Sequence, residues 1–254
     1  MKVRILGCGT STGVPKIGGD WGQCDPREPR NRRFRTSILV ESGATTVLVD
    51  CGPDLRQQLL SAGVGRIDAV IVTHDHGDHV HGIDELRPLS QALGGPVPLH
   101  GDPATLASLG HRFAYAFEQS DLYRPIVDAR PIGGEERFGD SVVRFVVQPH
   151  GPGSSLGMRF DEQGRSVAYA IDFSDLTDDM AALYEGVDIW IADCLTRREH
   201  PTHMHLDGVL GFARDLKVGR LYLVHMGNGL DYRTLSGELP DWAEPAHDGL
   251  EIAL

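Results

Sequence analysis

Apolar residues along this chain fall mainly into short runs that end at Gly, Asp or His. KVRIL (residues 2–6) is the first such run; it predicts a short strand, followed by a Gly-rich loop through Gly22. TSILVES (36–42) and TTVLVDCG (45–52) flank a Gly43-Ala44 turn and predict a β-hairpin. Pro53 suits a first helical turn, and DLRQQLLSAG (54–63) predicts a helix closed by Gly63. IDAVIVT (67–73) is apolar almost throughout and predicts a buried strand.

The later half repeats this style. SVVRFVVQPH (141–150), SLGMRF (155–160), SVAYAIDFS (166–174) and VDIWIADC (187–194) predict strands, with LTDDMAALYEG (176–186) a helix among them. HLDGVLGFARDLKVG (205–219) predicts a helix, RLYLVHMGN (220–228) a strand and loop, and GLEIAL (249–254) a last strand. Strands outnumber helices, and polar loops repeatedly follow strand ends. That pattern predicts an α/β sandwich with a site built on loops above the sheets. No repeat, low-complexity segment or linker marks a boundary, so residues 1–254 are expected to form one domain.

Composition narrows the function classes. With 24 basic and 36 acidic residues the formal net charge is −12, which argues against an extended nucleic-acid footprint. The first apolar run is too short for a signal-peptide core, and no stretch approaches the ~18 apolar residues of a membrane span. Cys8, Cys24, Cys51 and Cys194 lie far apart, as expected of reduced thiols in a cytoplasmic protein.

The densest chemistry follows IDAVIVT. His74-x-His76-x-Asp78-His79 places four imidazole or carboxylate ligands in one tight loop, a mix that suits zinc, manganese or iron. A single metal needs only three protein ligands plus water, so four candidates suggest two metals. Three further ligating residues end apolar strands: His150, Asp172 and His225. A metal pair ~3.5–4 Å apart wants a bridging carboxylate, and Asp172 fits that role.

In this order the seven residues resemble the metallo-β-lactamase-fold hydrolase superfamily, across nearly the whole chain. The resemblance implies an αββα four-layer sandwich with the metals at one edge of the two sheets. It also implies two divalent metal ions per chain, zinc or manganese, with iron a further candidate. His74, His76 and His150 would hold one, and Asp78, His79 and His225 the other, with Asp172 shared. Asp50, ending TTVLVD, would orient the histidine loop without ligating.

GCGTSTGVP at the start and PAHDGLEI at the end resemble one branch of that superfamily. Its members are the phosphoribosyl 1,2-cyclic phosphate phosphodiesterases and the tRNA 3′-processing endonucleases. A histidine opens the helix before the last metal-binding strand in that branch; His205 or His203 would fill the place, with spacing slightly favouring His205. The phosphodiesterases also carry a cysteine cluster for a structural zinc. Only Cys24 is present here, so no such zinc is expected.

The expected chemistry is hydrolysis of a small phosphodiester. A water between two cations loses its proton readily and can attack phosphorus. His205 or His203 would protonate the leaving group, with Asp207 an orienting partner, and Asp78 is counted with the catalytic residues as well as the ligands. REPRNRRFR (27–35) could grip phosphate oxygens or be a solvated loop. The alternatives are a tRNA-processing ribonuclease and a thioester or lactone hydrolase on the same metals. No membrane partner is expected, and relatives suggest a homodimer.

Overall fold

A computed structural model describes residues 1–254. Fourteen strands form two mixed sheets. In the first, β1 (Lys2–Gly7), β2 (Ser37–Ser42), β3 (Thr45–Val49), β4 (Ala69–Ile71), β5 (Val97–Gly101) and β6 (Val127–Pro131) lie side by side in chain order. The second holds β7 (Glu135–Phe138), β8 (Ser141–His150), β9 (Gly153–Glu162), β10 (Arg165–Ala170), β11 (Ile189–Asp193), β12 (Arg220–Val224) and β13 (Ala243–Pro245), also in chain order. The last strand, β14 (Glu251–Ala253), returns to the first sheet and pairs antiparallel with β1.

Each sheet begins antiparallel and turns parallel, from β3 to β6 in one and from β10 to β13 in the other. All six of these parallel pairs are joined through helices, as crossovers require. On the first sheet they are α1 (Leu55–Ala62), α2 (Gly77–Val80), α3 (Leu86–Leu93), α4 (Pro103–Arg112) and α5 (Ala114–Phe117). On the second they are α6 (Asp178–Tyr184), α7 (Leu206–Asp215) and α8 (Tyr232–Glu238).

The strand period of two sorts side chains into layers. Ile38, Val40, Val47, Val49 and Ile71 face the second sheet and join the larger core with Met158, Phe160, Tyr169 and Ile191. Their neighbours Leu39, Leu48, Val70 and Val72 face outward and pack with Leu55, Leu59, Leu86, Leu89 and Leu109 of α1, α3 and α4. Beyond the second sheet, Met180 and Tyr184 of α6 and Val209 and Ala213 of α7 cover the other side. The result is the expected helix–sheet–sheet–helix sandwich. No helix is long and apolar enough to cross a membrane.

All the predicted strands and helices form. β4 is shorter than its apolar run, because only residues 69–71 pair with neighbouring strands. The long segment 86–138, for which the pattern above predicts nothing, folds into α3, β5, α4, α5, β6 and β7.

Candidate metal centre

The histidine loop gets its shape from β4 and a single helical turn. His74 follows the buried strand, and His76 takes extended backbone as the N-cap of α2. Asp78 and His79 then project from that turn. The loop is clamped from below by the residues after β3: the N–H of Cys51 donates to the His79 carbonyl (2.8 Å), and the N–H of Gly82 donates to the Cys51 carbonyl (2.8 Å). That approach requires Gly52, where a Cβ would lie 2.1 Å from the Asp78 carbonyl oxygen.

Asp50 is the buried anchor of the loop. Its carboxylate accepts from the Thr73 N–H (2.8 Å) and hydroxyl and from His79 Nδ1 (2.8 Å). With the Thr73 hydroxyl donating to Asp50, its oxygen accepts from His74 Nδ1 (3.0 Å). One carboxylate thus fixes the tautomers of two histidines and leaves both Nε2 atoms free, as metal-ligating imidazoles require.

The second sheet supplies the other half. His150 ends β8, Asp172 lies two residues beyond β10, and His225 directly follows β12. Asp50, Asp172 and His225 all have left-handed backbone, with φ of 64°, 52° and 58°. His150 Nδ1 donates to the Thr202 carbonyl (2.8 Å), which leaves its Nε2 to face the cluster, 3.4 Å from His76 Nδ1.

Donor atoms converge in two main sets, one of which contains Asp172 while the other faces it, and a third grouping joins Asp172 to His203 and His225. His74, His76, His150 and Asp172 bring theirs within 4.8 Å of one another, and so do Asp78, His79 and His225. Asp172 Oδ2 lies 3.5 Å from His74 Nε2 and 3.3 Å from His150 Nε2. Its Oδ1 lies 3.6 Å from His79 Nε2 and 3.3 Å from His225 Nδ1. Buried polar atoms are nearly always bonded, yet Nε2 of His74, Nε2 of His79 and Oδ1 of Asp172 are buried without a hydrogen-bond partner. A divalent cation supplies what these atoms lack, so the residues fit a metal. The cluster is a divalent-metal site.

Electrostatics agrees with that use. Burial holds the imidazoles of His74 and His225 well below their usual pKa and brings His150 down to about 4, so all three are neutral and able to ligate. Burial also depresses His79, but Asp172, Asp50 and Asp78 outweigh it and raise its pKa. Burial raises the pKa of Asp172 to about 7, against the opposing charge of His79.

A further histidine stands on the same cleft. His203 Nδ1 donates to Asp193 Oδ2 (2.8 Å), and its ring stacks on His225 with centroids 5.0 Å apart. With Nδ1 taken, Nε2 is the atom left for the cleft. Burial lowers the pKa of His203, but the hydrogen bond and charge of Asp193, with Asp172 and Asp78 beyond, raise it overall. His205 is placed elsewhere: it is the N-cap of α7, and its ring lies over Gly208 of its own helix, outside the cleft. The slight preference for His205 is therefore corrected to His203. Asp207 is exposed on α7, and Asp193 holds the orienting position instead. Asp193 carries the same signal as Asp172, a carboxylate at the end of an apolar strand, and that signal could have found it.

The arginine run turns inward or pairs locally, and none of it lines the cleft. Arg27 pairs with Asp25, Arg30 with Glu28, Arg35 with Asp54, and Arg32 lies over the Trp21 ring. Arg33 is 2% exposed and donates to the carbonyls of Gly227 (3.1 Å) and Leu230 (2.6 Å), just beyond His225. Arg33→Ala is expected to lower stability by about 3 kcal/mol, because it strands those buried carbonyls. Urea unfolding should show this as a lower midpoint at unchanged slope; an unshifted midpoint would refute the structural role.

A family model, the beta-lactamase superfamily domain, matches residues 45–226. A solved diphosphatase from the PhnP family superposes with a TM-score of 0.90 at 35% identity, covering 99% of this chain and 96% of that one. A curated octanoyltransferase of Porphyromonas gingivalis is 29% identical over 262 residues, covering all of this chain, which spans only 52% of that relative. Ribonuclease Z of Mycobacterium bovis is 31% identical over 175 residues, 61% of this chain and 62% of the relative. With two sheets meeting at a His/Asp metal site, the chain belongs to the beta-lactamase superfamily, among its metal-dependent hydrolases and near the branch of the PhnP-family diphosphatase and ribonuclease Z.

Proposed function

We propose that the protein is a dinuclear metal phosphodiesterase that opens a small cyclic phosphate or nucleotide-like diester. The observation that carries this is Asp172, one carboxylate whose two oxygens face two separate histidine sets. His74, His76 and His150 would hold one cation and Asp78, His79 and His225 the other, with Asp172 between them. Bound there, two cations would activate water as a nucleophile at neutral pH and neutralise charge on the phosphoryl oxygens.

The chain's own residues account for the remaining steps. Asp50 and Thr73 hold His74 and His79 in the ligating orientation. His203, its pKa raised and its ring oriented by Asp193, is placed to deliver a proton from Nε2 to the departing alkoxide. Phosphorus is favoured as the reacting centre because the named chemistry of two similar proteins, a diphosphatase and a ribonuclease, is at phosphorus. The likeness to ribonuclease Z favours a second reading, cleavage of RNA, but the net charge of −12 opposes binding a polyanion.

The test is hydrolysis of bis(p-nitrophenyl) phosphate by protein stripped with chelator and then reloaded with zinc or manganese. Turnover is expected only after reloading. Two bound metals per chain without turnover would move the assignment to thioester or lactone hydrolysis.

A further inference from the structure

Three polar side chains are buried behind Asp172, where α6 covers the second sheet: Gln148 of β8, Ser155 of β9 and Tyr184 of α6. They form one directed relay. The Tyr184 hydroxyl donates to Gln148 Oε1 (3.0 Å), which turns the amide nitrogen to donate to Ser155 Oγ (2.9 Å) and the Ile171 carbonyl (3.0 Å). The Ser155 hydroxyl in turn donates to the carbonyls of Ile171 (3.0 Å) and Asp172 (2.8 Å). Gln148 and Ser155 are opposite each other in the β8–β9 ladder, so both point to the same face. Gly157 leaves room for the relay, since a Cβ there would run into the Tyr184 hydroxyl and Gln148 Oε1.

Buried polar groups are costly unless bonded, and this relay leaves no side-chain polar atom of the three without a partner. What it holds is a strained turn. Asp172 has a φ of 52°, a left-handed conformation that a residue with a Cβ keeps only where its surroundings fix it. Beyond the turn, the Ser174 N–H donates to the carbonyl of Pro149 (2.8 Å), the residue before His150. The Leu156 N–H, next to Ser155, donates to the carbonyl of Thr73 (2.9 Å), the residue before His74. Adjacent residues of β9 therefore fix Asp172 on one sheet against the histidine loop of the other.

We infer that Ser155 and Gln148, with Tyr184 behind them, are positioning residues for Asp172: they hold the turn that aims one carboxylate oxygen at each group of histidines. This rests on the bridging place given to Asp172 above. Groups that orient a metal ligand in this way are typically worth about 10–100-fold in metal affinity.

The test is the zinc affinity of the apoprotein, titrated against a competing chromophoric chelator, beside the melting temperature of the same apoprotein. Ser155→Ala and Gln148→Met should each weaken zinc binding by about 10–100-fold. Tyr184→Phe removes only the hydroxyl at the far end of the relay and should weaken it by about threefold, which keeps the relay testable if a closer variant does not fold. Met180→Ala, a core truncation on α6 outside the relay, should lower the melting temperature and leave zinc affinity unchanged. Ser155→Ala added to Asp172→Ala should cost little further affinity, because Ser155 acts through Asp172. Wild-type zinc affinity in every relay variant that folds, whatever its melting temperature, overturns the inference. Equal weakening in Met180→Ala, or full additivity with Asp172→Ala, overturns it as well. Asp172→Ala alone separates the two levels. If it weakens zinc binding while the relay variants match wild type, only this inference fails; if it binds zinc like wild type, the bridging reading fails and this falls with it.

Discussion

Asp172→Ala should lower metal-dependent phosphodiester hydrolysis by on the order of 10³-fold or more, because it removes the one carboxylate whose two oxygens face both groups of histidines. The loss should be visible without turnover. His74, His76, Asp78 and His79 come from the loop after β4 on the first sheet, whereas His150, Asp172 and His225 follow strands of the second. A cation bound by both groups binds the folded state alone. At about a hundredfold over its Kd it adds about 2.7 kcal/mol, or roughly 5–10 °C of melting temperature for a chain of this size. Wild-type protein should show that shift on reloading, and Asp172→Ala should show little of it. A variant that keeps two metals and the full thermal shift would remove Asp172 from the bridging place.

His203→Ala should slow diesters with alkoxide leaving groups by about 10²–10⁴-fold, the usual worth of a positioned general acid. Bis(p-nitrophenyl) phosphate should be spared to within about tenfold, since p-nitrophenolate departs without a proton. The pH profile gives a second check. His203 donates only while protonated, so its contribution is present below its pKa and lost as pH rises through it. Asp193 raises that pKa through its hydrogen bond and charge. Asp193→Asn should therefore move the alkaline limb of the rate profile to lower pH. If His203→Ala slows both leaving groups equally, His203 acts on the ligands rather than on the leaving group. The same substitution at His205 should have little effect on either.

The residues that converge in the cluster were legible in the sequence because each sits where an apolar run stops. That junction is visible in IDAVIVTHDHGDH and again at His150, Asp172 and His225. The sandwich was legible for a related reason: Leu39 and Leu48 alternate with Ile38, Val40, Val47 and Val49, and the alternation maps onto the two cores. The choice between His203 and His205 was not legible. It depends on the chain between β11 and α7, where Leu195 and Leu206 pair back onto Met204 and Thr196 and turn the His203 ring toward Asp193. Linear spacing to a helix cannot report such a turn. Residues 86–94 were legible in principle: Leu86, Leu89 and Leu93 fall at helical spacing, with Gly94 as the left-handed cap.

The left-handed backbone at Asp50, Asp172 and His225 bears on how such a chain is kept over generations of mutation. Side chains with a Cβ are disfavoured there by about 1–3 kcal/mol, and glycine is not. Backbone preference alone would put glycine at all three positions, so each side chain is kept for what it bonds or faces. The three side chains stand against the preference of their own backbone, and in a single sequence that opposition marks the places where function overrules folding.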